Sequence, residues 1–143
     1  MVYLIFNLVC SLLMTGVIWF VQIVHYPLFH KVSGDTFKTY EKNHQKLTSF
    51  VVVPLMLGES ASAVLMIIIA HDMIPSFLMW INFLFVVAIW AVTFSVQVPL
   101  HRKLANGYDS KYVDLLVRTN SIRVVLWTVK SALVIYLLKM MVS

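Results

Sequence analysis

Two charged side chains sit where a charge is least welcome. Glu59 and Lys130 each lie well inside a long apolar stretch of the chain. A lone charge at the centre of a bilayer costs at least about 2.5–3.5 kcal/mol. The two are therefore each other's natural partners. A buried carboxyl–amine pair can hold or move a proton, which makes Glu59 and Lys130 the candidate catalytic residues. Two plainer readings stand beside this one. The pair only fixes helix register, or Glu59 is neutral while Lys130 snorkels toward the interface.

Further polar and indole side chains recur at helical spacing. Asn120, Arg123, Trp127 and Lys130 fall at i, i+3, i+7 and i+10, so they share a face. Thr15, Trp19, Gln22 and Tyr26 mark a similar stripe in the first apolar stretch. Thr48, Leu55, Glu59 and Ser62 mark one in the second, and Trp90, Thr93 and Gln97 one in the third. The candidate substrate-binding residues are Trp19, Gln22, Trp90, Gln97, Asn120, Arg123 and Trp127. The indoles would flank a ring, and the amides would orient polar atoms. Arg123, with Arg118 nearby, suits an anion or a lipid headgroup. Polar stripes also serve as plain glue between membrane helices.

His25, His30, His44 and His101 cluster toward one end of the apolar stretches. His25, His44 and His101 are candidate ligands for a metal or a haem. Glu41-x-x-His44 is the step used by di-iron carboxylate bundles, which need it twice with two further carboxylates; here it occurs once. Solvated interfacial histidines are the alternative. Cys10 is the single cysteine, so no internal disulfide forms, and it reads as a small apolar residue. No phosphate-binding loop, Ser/His/Asp set or paired-cysteine motif is present.

Four elements must position these groups. Of 143 residues, 61% are hydrophobic and 12% charged, and the mean hydropathy is +0.89. Soluble domains carry about twice that share of charge. Lipid is the expected solvent, and the expected fold is a single all-α domain, a polytopic four-helix membrane bundle. The predicted spans are 2–24, 47–70, 76–99 and 121–142. The N-terminal stretch lacks the basic leader and cleavage site of a secretory signal. Lys31, Lys38, Lys42 and Lys46 follow the first span, and Arg102, Lys103, Lys111 and Arg118 follow the third, whereas the N-terminal tail and the turn at 71–76 carry no Lys or Arg. The positive-inside rule puts loops 25–46 and 100–120 in the cytoplasm and both termini outside, in the cell (inner) membrane. That distribution accounts for the net charge of +5 and argues against nucleic acid. Helical spacing of Phe37, Tyr40, Leu47 and Val51 lets the second helix begin near Asp35, capped by Asp35 and Thr36. Tyr108, Asp109 and Ser110 can cap an early start of the fourth.

The two halves resemble each other. Val21-Gln22 precedes Pro27-Leu28-Phe29-His30-Lys31, and Val96-Gln97 precedes Pro99-Leu100-His101-Arg102-Lys103. Each is followed by a Gly and an Asp. Glu59 lies 32 residues after Pro27, and Lys130 lies 31 after Pro99. A duplicated helical hairpin fits this pattern. So does a shared preference of inner helix ends for Pro, His and Lys.

The stretch from Gln97 to Ala105, followed by Arg118-Thr-Asn-Ser-Ile-Arg-Val-Val125, resembles the C-terminal half of the anthrone oxygenase-like family of four-helix membrane proteins. The order of elements is also similar to the haem-binding protoporphyrinogen oxidase family, through Trp19-Phe20 and Arg102-Lys-Leu-Ala-Asn-Gly107. The first helix lacks a histidine in its outer half to act as a haem ligand. The resemblance implies a membrane oxidoreductase or oxygenase that acts on a lipophilic aromatic or quinone-like compound. A small transporter or channel, or a subunit of a homo-oligomer or larger membrane complex, is the alternative.

Overall fold

The computed structural model describes residues 1–32, 34–69 and 74–142. Four helical spans, Val2–Lys31, Gly34–Ile69, Ser76–Leu104 and Ser110–Val142, are long and apolar enough to cross a membrane. The protein is an all-α, multi-pass membrane bundle. The first span is α1 (Val2–Phe20), a π-helical turn at Val21–His25 and a 3₁₀ segment at Pro27–Lys31. The second is α2 (Gly34–Ile69). The third joins α3 (Ser76–Val92), a π-helical turn at Thr93–Gln97 and α4 (Val98–Leu104). The fourth is α5 (Ser110–Val142).

The spans form a square. Helix α1 packs on α2 and α5, and α3 packs on the same two. Consequently α1 faces α3 across one diagonal, and α2 faces α5 across the other. Any direct contact between α2 and α5 must be made by side chains that reach through the centre. The outer wall is apolar, with Phe50, Ile68, Phe77, Leu84 and Phe94 all exposed, as lipid-facing surface requires.

The regions 25–46 and 100–120, predicted as loops, are mostly helical. Helix α2 begins at Gly34, close to the predicted Asp35, and runs for 36 residues; α5 runs for 33. At 1.5 Å per residue each approaches roughly 50 Å, well beyond a hydrocarbon core of about 30 Å. The surplus carries Lys38, Lys42, Lys46, Lys111 and Arg118. Asp35 occupies the first turn of α2, where its negative charge complements the helix dipole. Asp109 caps α5, its Oδ1 accepting the Lys111 N–H at 2.9 Å. Parts of the turn predicted at 71–76, His71 included, and Ala70 lie outside the described residues.

Neither Pro27 nor Pro99 ends its span. Each lacks an N–H to donate and crowds the carbonyl four residues earlier. Those carbonyls belong to Ile23 and Ser95, and both fall inside the π-helical turns. The wider turn relieves the clash: the Tyr26 N–H donates to the Val21 carbonyl, five residues back, at 3.0 Å. Helix then resumes beyond each proline with its faces rotated.

Gly58 permits the close approach of α1 and α2. A Cβ there would sit 3.1 Å from the Phe6 ring and 3.3 Å from Cys10 Sγ. Gly58→Val is expected to push the two helices apart and to destabilise the bundle by about 1–3 kcal/mol. Denaturation by SDS in mixed micelles measures this. An unchanged midpoint would mean that the helices separate without loss.

Candidate functional site

The chain builds two polar centres. The first lies on the α2–α5 diagonal. Lys130 Nζ meets Glu59 Oε1 at 2.9 Å, with both side chains almost wholly buried. Lys130 also donates to Asn7 Oδ1 at 3.1 Å and to Ser11 Oγ at 2.7 Å, so its three N–H groups all have acceptors. Ser11 Oγ lies 2.9 Å from Glu59 Oε1, and Trp127 Nε1 donates to Glu59 Oε2 at 3.1 Å. Asn7 Nδ2 donates to the Glu59 carbonyl and to Ser62 Oγ. The pair expected from the sequence is thus formed, and every charged atom in it is satisfied. Asn7 and Ser11 were missed by the stripe starting at Thr15. Their signal was the i, i+4, i+8 spacing of Asn7, Ser11 and Thr15 in an otherwise apolar run.

The second centre lies toward the basic end, where the two π turns present their faces. His101 Nδ1 is 2.6 Å from Glu41 Oε1, and His101 Nε2 is 2.9 Å from the Tyr26 hydroxyl. Gln45 donates to Glu41 Oε1 at 3.0 Å and to the His101 carbonyl at 3.1 Å. Two donors converge on one carboxylate oxygen, so Nδ1 carries the imidazole proton and Nε2 accepts from Tyr26. The arrangement is a carboxylate–imidazole–phenol chain, with Glu41 and Tyr26 buried. His44 lies beside it, its ring centroid 5.3 Å from that of His101. His25 Nε2 is 2.8 Å from His44 Nδ1, which also meets Thr48 Oγ1 at 3.1 Å.

A cavity of about 500 Å³ opens on this second centre. Its floor includes Tyr26, His44, Thr48, His101 and Arg123. Its upper wall is apolar and includes Ile18, Val52, Met56 and Trp90. The lining residues Ser49, Val53, Phe94 and Arg102 are exposed, so the mouth lies between α2 and the α3–α4 span. That is a lateral opening in the wall of the bundle.

The predicted site residues divide between these places. Trp90, His44, His101 and Arg123 line the cavity, and His25 backs onto His44. Glu59, Lys130 and Trp127 belong to the diagonal centre, outside the cavity lining. Gln22, Gln97 and Asn120 tie spans together. Gln22 donates to the Val117 carbonyl at 3.2 Å and accepts from Asn120 at 2.9 Å, and Gln97 donates to Thr119 at 2.9 Å. The expected meeting of Trp19, Trp90 and Trp127 around one substrate does not occur. Trp19 is 44% exposed and lines a separate groove of about 420 Å³ between α1 and α5, where Nε1 donates to Thr128. Trp90 stacks on Phe94 with ring centroids 5.0 Å apart, and Trp127 is fully buried.

The three candidate metal ligands do come together, but four of their six ring nitrogens are turned on one another and on Tyr26, Glu41 and Thr48. Among the described residues no group of three His, Cys, Asp or Glu side chains is arranged to hold a metal ion. His30 stands apart, contacting Tyr108 at 2.9 Å and Asp114 at 3.0 Å.

The chain matches no protein-family model, no curated protein and no solved structure. Of the two centres, only the second combines titratable groups with space for another molecule.

Proposed function

We propose that this membrane protein takes a lipophilic aromatic or quinone-like compound from the bilayer and exchanges protons with it. The observation that carries the reading is the Glu41–His101–Tyr26 chain ending in the wall of a laterally open cavity. A ring would lie along the apolar wall formed by Met56, Trp90 and Phe94. Its oxygen would meet the Tyr26 hydroxyl, whose proton moves toward His101 Nε2 while Glu41 steadies the imidazolium. This suits an oxidoreductase in which an external electron carrier takes or gives electrons and the cluster handles the accompanying protons. The sequence resemblance to membrane oxygenases and oxidases points the same way. The Glu59–Lys130 pair then acts as a structural tie.

The cluster would then lie near the cytoplasmic face with both termini outside, in the cell membrane, a reading that the basic ends of α2 and α5 support through the positive-inside rule. The two π turns followed by Pro27 and Pro99 support a duplicated hairpin.

Equilibrium dialysis with a naphthoquinone tests the site. Saturable binding with one quinone per chain is expected in detergent micelles. Thr48→Trp, which fills the floor, is expected to reduce affinity by at least about tenfold, roughly 1.4 kcal/mol. Val129→Trp, in the opposite groove, should leave binding unchanged. Partitioning that never saturates, or binding indifferent to Thr48→Trp, would remove the reading.

A further inference from the structure

Arg123 presents a contrast with Lys130. Both are buried cations on α5, separated by two helical turns. Lys130 has a carboxylate and two further acceptors at 2.7–3.1 Å. Arg123 is 5% exposed, and its Nη1 donates to Asn120 Oδ1 over a long 3.3 Å. Its Nε has no partner. Its Cζ stacks 5.2 Å from the centroid of the Trp127 ring, and its other polar neighbour is the Tyr26 hydroxyl. Among the described residues, no carboxylate lies within ion-pair distance of it. The buried acid of the second centre, Glu41, uses its Oε1 to hold His101 and Gln45.

A buried guanidinium without an anion is strongly unfavourable, because the interior cannot replace its hydration. The cavity supplies the room for a counter-charge. Arg123 lines it, and so does Thr93, whose Oγ1 is also buried without a partner. Both groups can donate, and both residues line the same cavity. Arg102 stands exposed at the mouth, where its charge would draw an anion in. The remaining wall is apolar. The polar floor therefore calls for an anionic oxygen group, and the wall for an apolar body attached to it.

We infer that the cavity's ligand is an acidic lipophile, an apolar body bearing a single anionic oxygen group, and that Arg123 with Thr93 receives that group. This rests on the cavity reading above and narrows it. The acid's charge supplies what the protein withholds from Arg123, and its apolar body places a neighbouring ring atom beside Tyr26. Free lipophilic acids and the headgroup of an anionic lipid share this chemistry.

The probes are 2-naphthoic acid and its methyl ester, dialysed against the intact protein in neutral detergent at about pH 7.5, where the acid is ionised. The acid is expected to bind at least about tenfold more tightly than the ester, because a charged acceptor paired with a guanidinium is a far stronger bond than a neutral one. Arg123→Gln should abolish that preference while leaving the ester's affinity within about twofold, since uniform apolar contacts remain. Should Arg123→Gln fail to fold, the ratio of acid to ester on the unaltered protein decides alone. Equal binding of acid and ester, both blocked by Thr48→Trp, would overturn the anion subsite and leave the cavity standing. Binding of neither would overturn both.

Competition separates the sources. Displacement of naphthoate by phosphatidylglycerol, compared with phosphatidylcholine, supports the inference and identifies a headgroup. Resistance to both lipids, with displacement by a medium-chain fatty acid, supports it and identifies a free acid. Displacement by millimolar inorganic phosphate alone would overturn the requirement for an apolar body.

Discussion

Glu59→Gln is expected to destabilise the bundle by about 3–5 kcal/mol, the cost of removing one partner of a buried ion pair. The change is nearly isosteric, so packing is preserved and electrostatics dominate. Lys130 Nζ would keep Asn7 and Ser11 as acceptors but lose its counter-charge while wholly buried. The introduced amide would also turn donors toward Ser11 or Trp127, groups that donate to the carboxylate today. Because α2 and α5 lie on a diagonal without close backbone approach, this contact is their direct tie through the centre. Glu59→Gln combined with Lys130→Met should regain more than half of the lost stability, a coupling on the order of 2–3 kcal/mol. SDS-induced unfolding of the four proteins measures the cycle. Simple additivity of the two changes would show that the residues act independently.

Glu41→Gln and Tyr26→Phe are expected to slow proton transfer at the cavity by about 10²–10⁴-fold, the usual contribution of a positioned acid–base group. A bound naphthohydroquinone loses two electrons and two protons when ferricyanide accepts the electrons. Its oxidation rate, above the background without protein, reads out the relay. Glu41→Gln should act through the His101 tautomer. A glutamine NH₂ can donate to Nδ1, so the imidazole proton shifts to Nε2, which then faces Tyr26 as a donor and no longer accepts its proton. Nitrogen-15 NMR of labelled His101 would show the exchange of the two ring-nitrogen shifts. Tyr26→Phe leaves the tautomer in place, because Glu41 still accepts from Nδ1, but removes the group that meets the substrate. Unchanged oxidation rates in both variants would exclude the relay. A fall in rate with the tautomer unmoved in Glu41→Gln would exclude the positioning role of Glu41.

The two centres explain different levels of the molecule. The diagonal centre is saturated: each charge has its full set of partners, and its ion pair lines neither the cavity nor the outer groove. It ties α1, α2 and α5 together at the centre of the bundle. The cavity centre is unsaturated. Arg123 Nε, Thr93 Oγ1 and Glu41 Oε2 are buried without partners, although such groups are rare in a settled interior. Two of these atoms, on Arg123 and Thr93, can donate and belong to residues that line the cavity, and they support the proposed ligand site.

Much of the architecture was legible in the chain itself. Long stretches almost free of charge can only be stable in lipid as helices, which satisfy their own backbone hydrogen bonds. The cost of an isolated charge at that depth required Glu59 and Lys130 to meet, and they do. The early start of α2 is anticipated by the helical spacing of Phe37, Tyr40, Leu47 and Val51, although of these Phe37 is buried while Leu47 and Val51 are exposed. What the chain alone left undecided depends on rotation and on distance in sequence. The stripe of Thr15, Trp19, Gln22 and Tyr26 treated the first span as uniform, but its buried face runs through Asn7, Ser11, Met14 and Ile18 in α1 to Val21 in the π turn, with Leu4 and Cys10 also buried. Trp19 therefore falls on the flank, and the π turn then rotates Tyr26 inward. Likewise Glu41 and His101 are 60 residues apart. They meet only because helix continues past Pro99 into α4 and carries the imidazole beneath α2. One-dimensional hydropathy fixes which residues avoid water, since transfer from water depends on composition. Which side chains touch is set by helix phase and by the packing of all four spans, and only the tertiary structure contains those.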